Sequence, residues 1–231
     1  MKVAIIPARG GSKRIPRKNI RPFLGRPILG YSIETARATG LFDRIIVSTD
    51  DEEVARVARA EGAETPFLRP GELADDHTGT LPVIAHALRW LAERGCAVEY
   101  ACCIYATAPL LRADDLRAAY ERLITSDAQY VFSATSFPFP IQRAIRLDER
   151  NRVTPFFPEA IGLRSQDLEP AFHDAGQFYW GRSTAFLAAL PVFAAHSEAF
   201  LLPRHRVQDI DTPEDWERAE YLYRALHSRQ D

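Results

Sequence analysis

The sequence predicts an α/β protein with a mostly parallel sheet and helices on both faces of that sheet. Short runs of β-branched and aromatic residues alternate with amphipathic segments along most of the 231 residues, a pattern typical of repeated βαβ units. The first run, residues 3–7, is continuously apolar, as expected of a central strand covered on both faces. The length favours one domain over residues 1–231, since separate domains usually take roughly 150 residues each.

Periodicity and capping residues place the individual elements. Pro27 begins the first predicted helix and Gly40, suited to a left-handed cap, ends it. Thr212 caps the last helix, with Pro213 at its first position. Helices are predicted over residues 27–40, 50–62, 78–94, 114–123 and 213–226, and strands over residues 3–7, 44–48, 65–68, 98–105, 129–134, 175–181, 200–202 and 206–208.

The charge balance excludes a general affinity for polyanions. The chain carries 29 Lys and Arg against 31 Asp and Glu, a net charge of -2, so neither nucleic acid nor a membrane is a predicted partner. No apolar run approaches the roughly 20 residues that span a bilayer, and the N-terminal apolar stretch is too short for a signal peptide. The adjacent Cys102 and Cys103 fit free thiols in a strand and a cytoplasmic location.

Residues 136–172 interrupt this alternation. Prolines and phenylalanines are interspersed here without periodicity. A segment rich in exposed aromatic residues often packs against a partner chain, and a long loop packed on its own domain is the alternative. We favour the first interpretation, in which residues 136–172 are an inserted element that forms a homodimer and covers the substrate.

The most informative segment directly follows the first predicted strand, with the sequence PARGGSKRIPRKN at residues 7–19. Adjacent Gly10 and Gly11 allow backbone N–H groups to converge on an anion. Basic residues surround them, namely Arg9, Lys13, Arg14, Arg17 and Lys18. A solvated basic turn is the alternative, and the segment matches neither G-x-x-x-x-G-K-[ST] nor G-x-G-x-x-G. The combination predicts a loop that binds a polyphosphate at the carboxyl edge of the sheet.

A second candidate site lies near the C-terminus. Asp209 and Asp211 are separated by one residue at the end of a predicted strand, so both carboxylates can reach one divalent cation. Mg²⁺ is the expected metal because it takes oxygen ligands and leaves positions for phosphate oxygens and water. The alternative is that the aspartates cap the last helix, but Thr212 already suits that role.

Three segments make the chain resemble the cytidylyltransferases that activate nonulosonic acids, the sialic-acid-like sugars, as CMP conjugates. They are residues 7–19, the loop from Phe67 to Thr80, and DIDTPEDW at residues 209–216. Within that family, residues 102–109, 139–144 and 173–181 most resemble the members that activate pseudaminic acid. The resemblance covers essentially the whole chain and implies a Rossmann-like fold of the nucleotide-diphospho-sugar transferase type.

The resemblance assigns roles to residues of these segments. Arg9, Ser12 and Lys18 are implied to hold the CTP phosphates, and Asp209 and Asp211 match the family's metal-binding aspartates. Arg9, Lys18, Asp209 and Asp211 form the implied catalytic set. The implied nucleotide-binding residues are Ala8, Arg9, Gly10, Gly11, Ser12, Lys13, Lys18, Asn19, Arg69, Thr78, Gly79 and Thr80.

The implied reaction is attack by the anomeric hydroxyl of pseudaminic acid on the α-phosphorus of CTP, with release of pyrophosphate. Such a transfer depends on alignment and on neutralisation of phosphate charge, and we hypothesise that Arg9 and Lys18 orient the β- and γ-phosphates. Alternatives are a cytidylyltransferase for sialic, legionaminic or another keto-sugar acid, a D-x-D glycosyltransferase, and a non-catalytic nucleotide-binding module.

The carboxylate of the acceptor sugar needs a cationic or amide partner. Gln142, Arg143 and Gln177 are candidates because they lie in or beside the segments that resemble the pseudaminic acid enzymes. Arg164, in the inserted element, is a candidate for reaching across a dimer into the neighbouring site. The role of His173 stays open.

The chain departs from the sialic acid enzymes of the family at one strand end. Tyr105, Ala106 and Ala108 stand where those enzymes usually carry Gln, Pro and Ser. The departure removes an amide from the expected pocket, and it therefore favours an acceptor other than sialic acid.

Overall fold

A computed structural model describes residues 1–75 and 78–228 and contains a mixed α/β fold. In chain order the strands are β1 (Lys2–Pro7), β2 (Pro22–Phe23), β3 (Arg26–Pro27), β4 (Arg44–Ser48), β5 (Tyr100–Ile104), β6 (Tyr130–Ser136), β7 (Ile145–Leu147), β8 (Val153–Pro155), β9 (Phe172–Arg182) and β10 (Ser197–Leu201). The helices are α1 (Ile28–Ala38), α2 (Glu52–Ala60), α3 (Thr80–Ala92), α4 (Ala113–Thr125), α5 (Ser183–Leu187) and α6 (Pro213–His227). Asp76 and His77, part of the loop that carries the family resemblance, lie outside the described residues.

The main sheet is mostly parallel, as predicted. Its strand order is β10-β6-β9-β5-β1-β4, and β9 runs antiparallel to both of its neighbours, β5 and β6. Because β9 is reversed, its first residues lie at the edge where the parallel strands end. Ser136, at the end of β6, therefore pairs with Phe172 at the start of β9.

Apolar clusters on the two faces of the sheet explain why helices cover both faces. On one face, Leu29 of α1, Val54 of α2 and Leu116 of α4 pack with the central strands. On the other face, Leu88 of α3 and Phe186 of α5 do so. Both strand faces are buried along Val3–Ile6 of β1, which accounts for its continuously apolar sequence.

A third apolar cluster joins the two ends of the chain. Ile15 and Phe23, which follow β1, pack against Ile210 and Trp216 near the start of α6. The cluster is fully or almost fully buried. It places the segment after β1 beside the segment before α6, although about 200 residues separate them.

Two predicted strands are wrong. Residues 65–68 contribute one isolated bridge, between Leu68 and Thr49, to the edge beyond β4. Residues 206–208 follow a 3-10 turn over Arg204–Arg206 and join no sheet among the described residues. Arg206 instead forms a buried ion pair with Asp115, which fixes this segment by its side chain rather than by strand pairing.

Residues 136–172 contain more regular structure than their sequence predicts. The segment includes the β7–β8 hairpin, whose turn contains Asn151 in the left-handed conformation. Its apolar side chains remain exposed, with Phe139 79% accessible. Within the described chain, this element therefore lacks a cover for its apolar surface.

The structure also describes the state of the cysteines and the apolar content of the helices. Cys96, Cys102 and Cys103 are free thiols, and burial raises the pKa of Cys102 and of Cys103. No helix in the described part of the chain has the length and apolar content needed to cross a bilayer.

A substitution at Gly181 tests how tightly β9 packs against β6 and α5. A Cβ atom at this position would lie 2.5 Å from Tyr130 and 2.6 Å from Phe186, so Gly181→Ala is expected to lower the free energy of unfolding by roughly 1–3 kcal/mol through overpacking. Urea denaturation would measure the change. Gly71→Ala is the matched control, because no atom lies within 4 Å of its added Cβ, and a change within about 0.5 kcal/mol is expected. Equal effects of both substitutions would contradict this packing.

Candidate active site

Polar loops converge at the carboxyl edge of the sheet. The first is the basic loop, residues 8–19, which follows β1. The second is the acidic segment, residues 208–211, which precedes α6. The ends of β4 and β5 and the start of β9 lie at the same edge. The strand polarity thus places these segments together, as expected for ligand sites in open α/β sheets.

Acidic side chains anchor the basic loop. The Gly10 N–H donates to Asp50 Oδ1 at 3.0 Å, and a Cβ on Gly10 would lie 2.5 Å from Asp51 Oδ2. Arg17, in the left-handed conformation, forms an ion pair of 2.6 Å with Asp51. Close approach to Asp51 therefore requires glycine at position 10, and the Gly10 N–H is already engaged within the protein.

Lys18 connects the basic loop to the acidic segment. Its Nζ donates to the Ile210 carbonyl oxygen at 2.6 Å and to Asp211 Oδ1 at 3.4 Å. Arg14 forms a second ion pair with Asp211, at 3.1 Å. The structure thus brings together the predicted phosphate-binding and metal-binding residues.

The first pocket, about 240 Å³ in volume, lies between the basic loop and the residues that follow β5. Of the nucleotide-binding residues implied by the sequence, Ala8, Gly10 and Gly11 do not line it. The lining predicted residues are Arg9, Ser12, Lys13, Lys18, Asn19, Arg69, Thr78, Gly79 and Thr80. Asn19 also braces the loop by donating from Nδ2 to the Arg9 carbonyl oxygen at 2.8 Å.

Arg69 is a buried cation in the wall of the first pocket, with 6% of its surface exposed. Its guanidinium donates to the carbonyl oxygens of Ser48 and Leu73, and burial lowers its pKa. Its Nε has no hydrogen-bond partner among the described residues. Arg69 therefore holds the end of β4 and also presents an unsatisfied donor, which is costly unless a ligand or water accepts from it.

The second pocket, about 430 Å³ in volume, adjoins the first and shares Asp211 with it. Asp174 and Asp209 line it together with the cations Arg204 and Arg218. Neither arginine forms an ion pair within the described chain. Partial desolvation and the neighbouring Asp211 charge raise the pKa of Asp209. The second pocket therefore combines closely spaced carboxylates with cations that can bind an anionic ligand.

The four substrate-binding residues predicted from the sequence line neither pocket in this single chain. Gln142 Nε2 donates to the Glu169 carbonyl oxygen, and the Arg143 guanidinium donates to that of Leu163. Arg164 is exposed and paired with Asp167. Gln177 is buried in β9, where its Nε2 donates to the Arg206 carbonyl oxygen.

Sequence reasoning missed Arg204, Arg218 and Asp174 as site residues. Asp174 lies in a segment already noted for its resemblance, but its place at the sheet edge depends on the reversed direction of β9. The sequence carries no local signal for the arginines, because helix α6 brings Arg218 to the pocket from its second turn. Tyr105 was noted only as a departure from a motif, and it lines the first pocket.

Comparisons with known proteins show which sequences and folds this chain is similar to. The sequence profile of the family described as cytidylyltransferase matches residues 3–184. The pseudaminic acid cytidylyltransferase of Campylobacter jejuni is 48% identical over 225 residues, which is 97% of each chain. The N-acylneuraminate cytidylyltransferase of Escherichia coli is 29% identical over 94% of this chain and 51% of its own length.

A solved structure shares the fold. CMP:2-keto-3-deoxy-manno-octonic acid synthetase, solved in complex with CTP, superimposes with a TM-score of 0.70 over 100% of this chain and 99% of its own. Its sequence identity is 17%, so the likeness concerns the architecture. The mixed sheet with helices on both faces is therefore an architecture already seen among nucleotide-dependent synthetases.

The Arg17–Asp51 pair makes stability depend on pH. Hydrogen bonding from Arg17 lowers the pKa of Asp51 to about 2, below the value of about 3.9 in an unfolded chain. The stabilisation is therefore present above pH 4 and is lost as the pH falls through about 2. Asp51→Asn is expected to lower the free energy of unfolding by about 1 kcal/mol at pH 7, since partial exposure screens the pair.

Urea denaturation at several pH values would test this expectation. The difference between wild type and Asp51→Asn should shrink between about pH 4 and pH 2. Glu52→Gln, a neighbouring substitution of an exposed acid, should change stability by less than about 0.5 kcal/mol. A wild-type advantage over Asp51→Asn that stays constant to pH 2 would show that the Asp51 charge contributes nothing.

Proposed function

The chain belongs to the cytidylyltransferase family, and on that premise we propose that it transfers CMP from CTP to the anomeric hydroxyl of a nonulosonic acid, releasing pyrophosphate. We propose pseudaminic acid as the acceptor. The observation that carries the proposal is the pair of adjoining pockets with Asp211 at their junction. One pocket has cations suited to a triphosphate, and the other has room and charge suited to an acidic sugar.

The first pocket suits CTP. Arg9, Lys13 and Lys18 line it from the basic loop, and Arg69 lines it from the segment that follows β4. Cations fixed before the reaction stabilise charge that develops on phosphate oxygens, and they need no reorganisation during transfer. The hydrogen bond from Lys18 to the Ile210 carbonyl oxygen fixes the Lys18 ammonium group close to Asp211, at the junction of the two pockets. In the proposed complex the triphosphate of CTP lies next to the acceptor at this junction.

Asp209 and Asp211 fit a magnesium ion. The Asp209 carboxylate accepts no hydrogen bond from the described residues, and desolvation together with the charge of Asp211 raises its pKa. No cluster of three or more potential ligands occurs in the described chain. Two carboxylates are sufficient because Mg²⁺ usually keeps phosphate oxygens and waters as its other ligands. When bound, the ion would neutralise phosphate charge at the point of attack.

The second pocket suits the acceptor. Arg204 and Arg218 supply guanidinium groups that can hold a sugar carboxylate. The carboxylate of the acceptor sugar would lie beside the Asp174 and Asp209 carboxylates and would be repelled by them. The Arg204 and Arg218 guanidinium groups offset this repulsion. In this arrangement the anomeric hydroxyl lies on the Asp211 side, facing the α-phosphorus of CTP.

Two observations favour pseudaminic acid over the other keto-sugar acids. The Campylobacter jejuni relative named for pseudaminic acid aligns along 97% of both chains. Ala106 and Ala108 also stand where the sialic acid enzymes usually carry Pro and Ser at this strand end, and alanine lacks the hydroxyl that serine offers to a ligand.

Residues 136–172 form the proposed dimer element. The segment leaves the main sheet at the second pocket, where Pro138 is part of the lining, and its apolar side chains are exposed. Packing against a second copy would bury these side chains. Arg164 would then be presented to the neighbouring site, which is the role proposed for it.

A pyrophosphate-release assay with CTP, Mg²⁺ and separate nonulosonic acids tests the function. Pseudaminic acid is expected to give the highest kcat/KM, with sialic and legionaminic acids at least tenfold lower, because one unsatisfied hydrogen-bonding group costs about 1–3 kcal/mol. Omission of the acceptor is the control and should give no release. Turnover with sialic acid alone would overturn the acceptor assignment, and release with none of the acids would overturn the function.

Sedimentation velocity tests the dimer element. The wild type is expected to sediment as a dimer, and Phe139→Asp should shift it toward monomer, because a charge would be buried at the interface. Tyr221→Asp, at another exposed aromatic residue, is the control and should leave the dimer intact. A stable and fully active wild-type monomer would contradict the proposal.

A further inference from the structure

A chain of hydrogen bonds connects the two pockets through the interior of the sheet. Tyr105, directly after β5, and Tyr179, in β9, have phenol oxygens 2.8 Å apart. Tyr179 in turn donates to Asp174 Oδ2 at the start of β9. Tyr105 lines the first pocket and Asp174 lines the second, so the chain spans the wall between the two pockets.

The hydroxyl protons in this chain of hydrogen bonds can point only toward Asp174. The Gly176 N–H donates to Asp174 Oδ1 at 2.9 Å, and Oδ2 of the same carboxylate accepts from the Tyr179 hydroxyl. Tyr179 has one hydroxyl proton and gives it to Asp174. Tyr105 must therefore donate its own proton to Tyr179, so its oxygen can only accept on the side of the first pocket, where the Thr80 side chain is a neighbouring donor.

Both phenols remain protonated at neutral pH. Burial raises the pKa of Tyr105, with a further contribution from Cys103. Burial likewise raises the pKa of Tyr179, and the neighbouring Tyr105 adds to the effect. The direction set by Asp174 is therefore kept along the whole chain.

We propose that Asp174 and Tyr179 fix Tyr105 as a hydrogen-bond acceptor in the first pocket, where Tyr105 binds a hydroxyl or amino group of the nucleoside. The inference rests on the proposed function insofar as the first pocket holds CTP. Tyr105 lines the first pocket and not the second, which assigns its contact to the nucleotide rather than to the acceptor. Tyr105 is then a substrate-binding residue, and Tyr179 and Asp174 are positioning residues.

The substitution Asp174→Asn would reverse the donor and acceptor roles in the hydrogen bonds that link residue 174, Tyr179 and Tyr105. The Gly176 N–H needs an acceptor, so the amide oxygen takes the place of Oδ1 and the amide nitrogen faces Tyr179. Tyr179 would then accept from the amide and donate to Tyr105. The Tyr105 proton would turn toward the first pocket, and its phenol would become a donor to the ligand.

Calorimetric titration with CTP and three analogues tests the inference without requiring turnover. UTP has an oxygen in place of the cytosine amino group, and the 2′-fluoro-2′-deoxy and 3′-fluoro-3′-deoxy forms of CTP replace one ribose hydroxyl by fluorine. The two fluoro analogues each remove one ribose donor, whereas UTP removes the amino donor and also changes N3 of the base from an acceptor to a donor. The proteins compared are wild type, Tyr105→Phe, Asp174→Asn and the control Tyr221→Phe, which removes an exposed phenol hydroxyl on α6.

One analogue is expected to bind wild type and Tyr221→Phe roughly threefold to tenfold more weakly than CTP, the range of one neutral hydrogen bond. That loss should fall below twofold in Tyr105→Phe. In Asp174→Asn, which keeps the phenol, it should also fall below twofold or reverse. A purely structural role of Asp174 would weaken all four nucleotides equally.

Two results would overturn the inference: no analogue weaker than CTP in wild type, or the same loss in wild type and in the variants that fold. If Tyr105→Phe does not fold, Asp174→Asn alone decides. Because these are binding measurements, failure of wild type to release pyrophosphate from CTP and pseudaminic acid would count against the proposed function and not against this chain of hydrogen bonds.

Discussion

The contact between the two ends of the chain is the constraint on which the site depends. Ile15 in the basic loop packs against Ile210 and Trp216 beside the acidic segment, and Lys18 bonds to the Ile210 carbonyl oxygen in the same place. Apolar burial supplies the attraction, since fully burying a large aliphatic side chain contributes about 1.5–3 kcal/mol. The bond from Lys18 then fixes the register. Without this contact the cations and the carboxylates would belong to separate surfaces.

The reversed strand β9 supplies the second half of the arrangement. Because β9 enters the sheet from the carboxyl edge, Asp174 lies beside the ends of the parallel strands, where Tyr105 and the acidic segment also lie.

The near-neutral total charge of the chain, -2, conceals strong local fields of opposite sign. Arg14 and Lys18 of the basic loop pair with Asp211, and Arg204 and Arg218 line the same pocket as Asp174 and Asp209.

Local sequence signals were sufficient for much of the fold and for the centre of the site. The continuous apolar run of β1 predicted a buried strand, and Thr212 with Pro213 predicted the start of α6, where the structure contains a capping box. The motifs around Lys18 and Asp211 predicted residues that the structure brings into contact. The strand predicted over residues 206–208 is wrong because this segment is held by the Arg206–Asp115 ion pair, a contact with no local sequence signature. Arg218 and Asp174 reach the second pocket through helix packing and strand reversal, which only the tertiary structure determines.

Gly10 shows how a correct motif can carry an incomplete reason. The sequence predicts that Gly10 lacks a side chain because it binds an anion, whereas the structure places Asp51 against the position of the absent Cβ. The glycine thus serves the anchoring of the loop, and the loop in turn presents the cations. A sequence pattern can identify the loop, but only the packed structure shows which neighbour requires the glycine.

The most direct test of a single site built from both ends of the chain is the affinity for CTP with and without Mg²⁺, measured by calorimetry. Mg²⁺ is expected to tighten CTP binding at least tenfold in the wild type, about 1.4 kcal/mol, and less than twofold when Asp209 and Asp211 are both replaced by Asn. Without Mg²⁺, the double variant should bind CTP at least as tightly as wild type, because two negative charges beside the phosphates are gone. Equal tightening by Mg²⁺ in both proteins would contradict the account, since the acidic segment would then play no part in binding the nucleotide.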